Sequence, residues 1–328
     1  MKKITVTTNI VIVTPAKSGT LHGNRTTALR WEQHLCAAGF QTEVLTDWQQ
    51  GNQDIMIALH AARSHASMRA WKQHHPEKPL ILIMTGTDLY RDLFAGNAQA
   101  LASLALADQI VLLQPEAIKC IPETYHSRCR VIYQSVAARR RIPKHGRCFM
   151  VTVIGHLRDE KDPLRTAHAL QRIPKTSRIQ VFHLGMSMQE KYTHEAQRLA
   201  SLDQRYHWIG PRRHQDTMRW LASSELMVIS SIMEGGAHVV SEAIALGIPV
   251  IASDIDGNRG LLGNDYPGFF PVGDTASLSN LLSQAESDPA YMHALHESLE
   301  KRQELINPAR EYSEILKLVN ELLDKQSA

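Results

Sequence analysis

Residues 226–252, LMVISSIMEGGAHVVSEAIALGIPVIA, constrain the fold more than any other stretch of the chain. Leu226 to Ile229 is an apolar run of strand length. Ala237 to Leu246 has helix-forming composition, and Gly247 followed by Pro249 stops the helix before a second apolar run opens at Val250. Strand, glycine-bearing turn, helix and strand in so short a span is the unit of a parallel sheet, and it aims backbone N–H groups and a helix N-terminus at an anion. Gly235 and Gly236, with Ala237 and His238 at the helix start, let a diphosphate approach without side-chain obstruction. Glu234 stands at the mouth, facing a polyol. Glu242, two turns on, can accept hydrogen bonds from a second diol such as a ribose.

The same alternation runs through the whole chain. Further strands are predicted at Ile10 to Val13, Glu43 to Leu45, Ile55 to Leu59, Leu80 to Met84, Gln109 to Leu113 and Arg130 to Tyr133, then at Met150 to Ile154, Ile179 to Gly185 and Tyr206 to Gly210, with helical stretches between them. That pattern is a doubly wound parallel sheet, and 328 residues are more than one core serves. Two domains are expected, 1–143 and 144–308, with a basic, Pro- and Gly-containing linker at Ala137 to Arg147 and a closing helix over 309–328. Ligands of such sheets bind beyond the carboxyl ends of strands, which singles out His60 and Arg63, then Thr85, Gly86, Thr87 and Asp88, then Gln134 and Ser135. His60, ending an apolar strand, reads equally as a core histidine. The first loop, TPAKSGTLHGNR, precedes a helix expected over Thr26 to Ala38, and its Ser18, Gly19, Gly23, Asn24 and Arg25 can wrap an anion.

Charge narrows the partners. Residues 1–145 carry 17 Lys/Arg against 10 Asp/Glu, and the remainder 19 against 23, so the first half is basic and the second mildly acidic. Aromatic content is 6% and no basic stripe is interleaved with aromatics, which argues against nucleic acid and for a small anionic ligand. Cys36, Cys120, Cys129 and Cys148 show no paired metal or redox spacing and read as reduced thiols of a cytoplasmic protein. The apolar run in MKKITVTTNIVIVTPA is broken by Thr7, Thr8 and Asn9 and reads as a first strand, not a secretory signal. No stretch is long enough to span a membrane, and no stable membrane association is expected.

Ser230 through Asn258 resembles the donor-site signature of family-4 nucleotide-sugar glycosyltransferases: the serine, two glutamates flanking seven residues, the Gly-X-Pro-Val turn and Gly257-Asn258 all match. The resemblance implies a GT-B fold, two Rossmann-like doubly wound domains facing across a cleft, with a last helix crossing back to the first domain. It also implies that the loop GHLRDEKDP clamps the donor diphosphate. Lys161 matches the family's lysine there, His156 occupies the position of its arginine, and Arg158 is near enough to substitute. Ser231 falls near the nucleotide. TGTD at 85–88 resembles the family's His-Gly-Ser-Asp turn with Thr85 in place of histidine, and VIYQSV at 131–136 matches its domain-ending element in position only.

The first-half motifs SGTLHGNRTTALRW, ALHAARS and TGTDLYRDL, with GHLRDEKDPLR, resemble the selenosugar synthases of selenoneine biosynthesis, a small glycosyltransferase-like family. That resemblance implies attack of selenophosphate on a UDP-sugar, typically UDP-N-acetylglucosamine, with no cofactor and no metal. Such a nucleophile needs orientation and charge screening more than a general base. Glu234, Lys161, Arg158 and Asp88 are then the catalytic candidates. Lys17, Ser18, Gly19, Asn24, Arg25, His60, Arg63, Thr87 and Arg91 are the candidates for the acceptor. A conventional family-4 transferase shares every donor motif. A nucleotide-sugar epimerase would add carboxylates, and a non-catalytic binding module would have no need of Glu234, Glu242 and Lys161 together.

Overall fold

The computed structural model describes residues 8–16, 23–137, 140–142 and 148–327. They fall into two compact units, one within Met1–Ser135 together with Pro308–Ala328, the other within Val136–Asn307.

In the first unit, β1 (Asn9–Val13), β2 (Gln41–Leu45), β3 (Ile55–Leu59), β4 (Leu80–Ile83), β5 (Gln109–Leu112) and β6 (Cys129–Val131) form a sheet in the order β2-β1-β3-β4-β5-β6. Every neighbouring pair is parallel. Side chains alternate across a strand, so β1 feeds two cores. Ile10 and Ile12 join Trp31 and Leu35 of the helix Gly23–Ala37, while Val11 and Val13 join Met68 and Trp71 of the helix His65–His74. The first helix begins at Gly23, three residues earlier than expected, and the Thr27 hydroxyl bonds back to the Gly23 carbonyl at 3.1 Å. Asn24 and Arg25 are therefore first-turn helical residues rather than loop residues.

The last helix, Pro308–Ser327, belongs to this first unit. Its Ile315, Leu318 and Val319 are fully buried in the core that holds Trp31, each contributing about 2 kcal/mol relative to exposure. A polar cluster fixes its start. Arg30 donates to both oxygens of Glu311 at 3.1 and 2.8 Å, Ser135 donates through its backbone N–H and its hydroxyl, and Trp31 Nε1 lies at 3.3 Å. Burial alone would raise the Glu311 carboxyl, but His34, Arg30 and Ser135 bring it down to about 2.

The second unit repeats the plan with β7 (Phe149–Ile154), β8 (Ile179–Leu184), β9 (Tyr206–Gly210), β10 (Leu226–Ile229), β11 (Val250–Ser253) and β12 (Phe269–Phe270), ordered β12-β11-β10-β7-β8-β9 and parallel throughout. The short edge strand β12 has no counterpart among the sequence-based expectations. Strand order reverses at β7, whose neighbours are β10 and β8, so the chain leaving β7 runs on to β8 on one side of that point and the chain leaving β10 runs on to β11 on the other. A crevice at such a reversal is where this class of sheet binds ligands. Among the described residues, no helix is long and apolar enough to cross a membrane.

Candidate active site

The loop after β7 is positioned from beneath. A Cβ at Gly185 would overlap the Gly155 carbonyl, so the ends of β7 and β8 approach as closely as they do only because residue 185 is glycine. His183, fully buried on β8, sits with Nε2 3.2 Å from the Gly155 carbonyl and Nδ1 3.0 Å from the Tyr206 hydroxyl. A carbonyl can only accept, so Nε2 carries the proton and Nδ1 accepts from the tyrosine. Burial pushes His183 down to about 4, which keeps the ring neutral in that role. His156 accepts the Met186 N–H on Nδ1 at 3.1 Å and so braces the same loop against the one after β8.

The turn Asp159–Lys161 ends at Asp162 in the left-handed region, φ 41°. The loop after β10 grips this turn by its backbone: Ser230 Oγ donates to the Asp162 carbonyl at 2.8 Å, and Ile232 N–H to the Glu160 carbonyl at 2.9 Å. Lys161 is thereby brought to Glu234, where its ammonium pairs with Oε1, the oxygen that also accepts the Ser231 hydroxyl at 2.6 Å. Glu234 keeps 12% of its side chain exposed and Lys161 21%. From the other side, a Cβ at Gly257 would overlap the Glu234 carbonyl. Ser253 Oγ donates to the Ser231 carbonyl at 2.5 Å and is itself held by Asn258 Nδ2 at 3.2 Å. Lys161, Ser231 and Glu234 are thus one cluster standing on buried supports.

The helix His238–Leu246 follows, and no side chain caps its start at Ala237. Gly235 is buried and Gly236 half-buried on the approach to it. With an alanine as its N-cap residue, this helix start has no side-chain cap to compete with an anion. Glu242 lies in the same helix, 6% exposed at its side chain, with His214 Nε2 at 2.5 Å and His238 Nδ1 at 3.3 Å, both on Oε1. Burial would raise this carboxyl, but the two imidazoles bring it down to about 2. Arg158 does not join either cluster; its nearest acid is Glu160 at 3.8 Å.

In the first unit, Lys17, Ser18 and Gly19 lie outside the described residues. His60, at the end of β3, is buried with φ 73° and meets Thr87 Oγ1 at 3.0 Å. Burial lowers its pKa, opposed by the charge of Asp88. Asp88 has no exposed surface: Oδ1 accepts the N–H and hydroxyl of Thr85 at 2.8 and 2.7 Å, and Oδ2 accepts the Ala61 N–H at 2.9 Å. Its carboxylate is spent on joining the loops after β3 and β4. Arg63 is exposed, and Arg91 pairs with Asp92 at 2.9 Å. Among the described candidates, the structure brings His60, Thr87 and Asp88 together, and the Arg63 backbone N–H donates to His60 Nδ1 at 3.4 Å while the residue itself is exposed.

Four supporting residues were not singled out by sequence reasoning: His183, Ser253, His214 and Glu311. His183 alone left a local sign, a polar residue within an apolar strand; the others act across separations that no local pattern records.

Residues 137–312 match the family model of glycosyl transferases group 1. The UDP-Gal:alpha-D-GlcNAc-diphosphoundecaprenol alpha-1,3-galactosyltransferase of Escherichia coli is 31% identical over 147 residues, covering 43% of this chain and 37% of that enzyme, so the chain spans well under half of that relative's length. Glycosyltransferase 1 domain-containing protein 1 of Xenopus tropicalis is 25% identical over 285 residues, 75% of this chain and 79% of that protein. Among solved structures, sucrose-phosphate synthase of Thermosynechococcus elongatus superposes with a TM-score of 0.78 at 16% identity, covering 97% of this chain and all of that one. HepE of Anabaena in complex with UDP superposes with a TM-score of 0.75 at 14% identity over 96% of this chain and 100% of its own. These likenesses carry the fold, which is GT-B, and the family match falls on the unit that holds the Lys161–Glu234 cluster. On that match the chain belongs to the glycosyl transferases group 1 family.

Proposed function

We propose that this protein transfers a glycosyl group from a UDP-sugar, UDP-N-acetylglucosamine in the first instance, to the selenium of selenophosphate. The observation that carries the donor half is the convergence of Lys161, Ser231 and Glu234 at the strand-order reversal of the second sheet, ahead of a helix whose start no side chain caps. Glu234 orients the donor sugar. Lys161, with Arg158 and the amides from Gly236 to His238, offsets the charge of the departing UDP, and Glu242 receives the ribose. Solved HepE complexes with UDP and with UDP-glucose share the fold and support a uridine nucleotide as donor.

The acceptor half rests on the resemblance of the first-half motifs. Selenium attacks the anomeric carbon as its bond to the UDP oxygen breaks; water then cleaves the selenium–phosphorus bond, leaving a 1-selenosugar and phosphate. Asn24, Arg25, Arg63 and Arg91, with Lys17, Ser18 and Gly19, are the candidates for the anionic acceptor, while His60 and Thr87 shape its wall. Asp88 serves by position, holding the His60 and Thr85 loops. A conventional carbohydrate acceptor is the second reading, supported by the name of the E. coli relative, a galactosyltransferase acting on an undecaprenol-linked GlcNAc diphosphate.

Anaerobic incubation with UDP-N-acetylglucosamine and selenophosphate, followed by mass spectrometry, tests the proposal. A selenium isotope pattern on the hexosamine, lost in Glu234→Ala and reduced about 10²-fold in Lys161→Ala, is the expected result. UDP-sugar binding with no selenium product would sink the acceptor assignment and turn the search to carbohydrate acceptors.

A further inference from the structure

Two other buried carboxylates are held on both oxygens by guanidinium or amide donors, Glu311 by Arg30 and Ser135 with His34 beside them and Asp88 by Thr85 and Ala61. Glu242 is held differently. Both of its described contacts are imidazoles, and both fall on Oε1. His238 stands one turn before Glu242 on the same helix, so that contact is local. His214 comes from the start of another helix, His214–Ala222, and reaches across at 2.5 Å. With 57% of its side chain exposed, His214 contributes little to the core, yet its ring is committed to a buried acid. Core packing does not account for that commitment; orienting the acid does.

We propose that His214 is a positioning residue for nucleotide recognition: by holding Oε1 it turns the second oxygen of Glu242 toward the ribose 2′-hydroxyl and makes the site select ribonucleotides over deoxyribonucleotides. This rests on the donor reading above. A carboxylate tethered at one oxygen presents the other in one orientation, and a hydroxyl donor then finds its acceptor already placed. Without His214, Glu242 keeps only its own helix's histidine, and its carboxylate rotates between alternatives. The diphosphate and base contacts are untouched, so the loss falls on the ribose hydroxyl alone.

Isothermal titration of the purified protein with UDP and with 2′-deoxy-UDP provides the test, with thermal unfolding as a folding control. The wild-type protein is expected to prefer UDP by about tenfold, the loss attached to one hydrogen bond to a charged group. Glu242→Gln and His214→Ala are each expected to cut that preference to about twofold, through weaker binding of UDP. His214→Gln, whose amide can still donate to Oε1, is expected to restore it. A His214→Ala protein that keeps the wild-type ratio, or that loses both nucleotides equally, overturns the assignment. Failure of the wild-type protein to bind either nucleotide overturns the donor reading itself, a separate result.

Discussion

The loops that leave β4 and β10 carry the same local device and put it to different use. In each, a hydroxyl three residues ahead of an acid donates to it: Thr85 to Asp88 at 2.7 Å, Ser231 to Glu234 at 2.6 Å. What the neighbouring loop supplies makes the difference. The loop after β3 offers a backbone N–H to the other oxygen of Asp88, and nothing of that residue reaches solvent. The loop after β7 offers the Lys161 ammonium, and Glu234, one methylene longer, stays partly exposed. A carboxylate saturated by fixed amides is a staple, whereas one shared with a flexible cation can exchange that cation for a substrate. The lesson is that an identical spacing of hydroxyl and acid carries no function until the adjacent strand-end loop is in place.

The largest expected effects separate the two acids outright. On the function proposed above, Glu234→Gln should lower sugar transfer by about 10³-fold with the melting temperature nearly unchanged, since it removes the group proposed to orient the donor sugar. Asp88→Asn should destabilise the first unit by about 3 kcal/mol, because its amide nitrogen must face the Ala61 N–H, or the Thr85 and Leu89 donors, as a donor against a donor. Turnover and thermal unfolding measured side by side decide it; an Asp88→Asn protein that melts normally but does not turn over would break the comparison.

Gly257→Ala sharpens it from the side of Glu234's supports. The added methyl must displace the Glu234 carbonyl, so about 2 kcal/mol of stability and most of the transfer activity should be lost together. A fully active Gly257→Ala protein would mean that the loop is not held where Ser253 and Ser231 place it.

Acidification gives the most graded effect, spread over several pH units and leaving activity at neutral pH untouched. His183 ordinarily titrates near 6.5 and is pushed down to about 4, so its share of stability is complete above about pH 6.5 and is lost as pH falls toward 4, on the order of 3 kcal/mol in all. His60, lowered in the first unit, acts with the same sign. Glu311, brought from 4.5 to about 2, holds its share above pH 4.5 and gives it up only below that. A series of melting temperatures from pH 8 to 3 on His183→Gln and Glu311→Gln should show the first flattened between 6.5 and 4 and the second flattened below 4.5.

Much of this architecture was legible because apolar runs of strand length alternated with helix-forming stretches; among the described residues eleven strands fall where that pattern put them, and only the two-residue β12 left no trace. The helix His238–Leu246 was bracketed by its own glycines and by Pro249, and the group 1 family match falls over it. The start of the first helix was misplaced because a glycine and an asparagine read as loop residues until the Thr27 hydroxyl ties that turn. Arg158 illustrates the converse: it lies three residues from Lys161, yet only Lys161 is turned to Glu234, since the Ser230 hydroxyl grips the carbonyls of Lys161 and Asp162 and not that of Arg158.

The chain by itself determined which residue types could meet an anionic sugar nucleotide, because glycine, glutamate and lysine at those spacings are fixed by local backbone needs and charge. Tertiary structure alone decided which of two hydroxyl–acid pairs became a buried staple and which stayed partly exposed beside a lysine. It also decided that His214 would reach Glu242 and that Glu311 would tie the last helix to the first unit. These outcomes depend on strand order, which sets what lies across from each strand end, and strand order is a property of the assembled sheet rather than of any stretch of sequence.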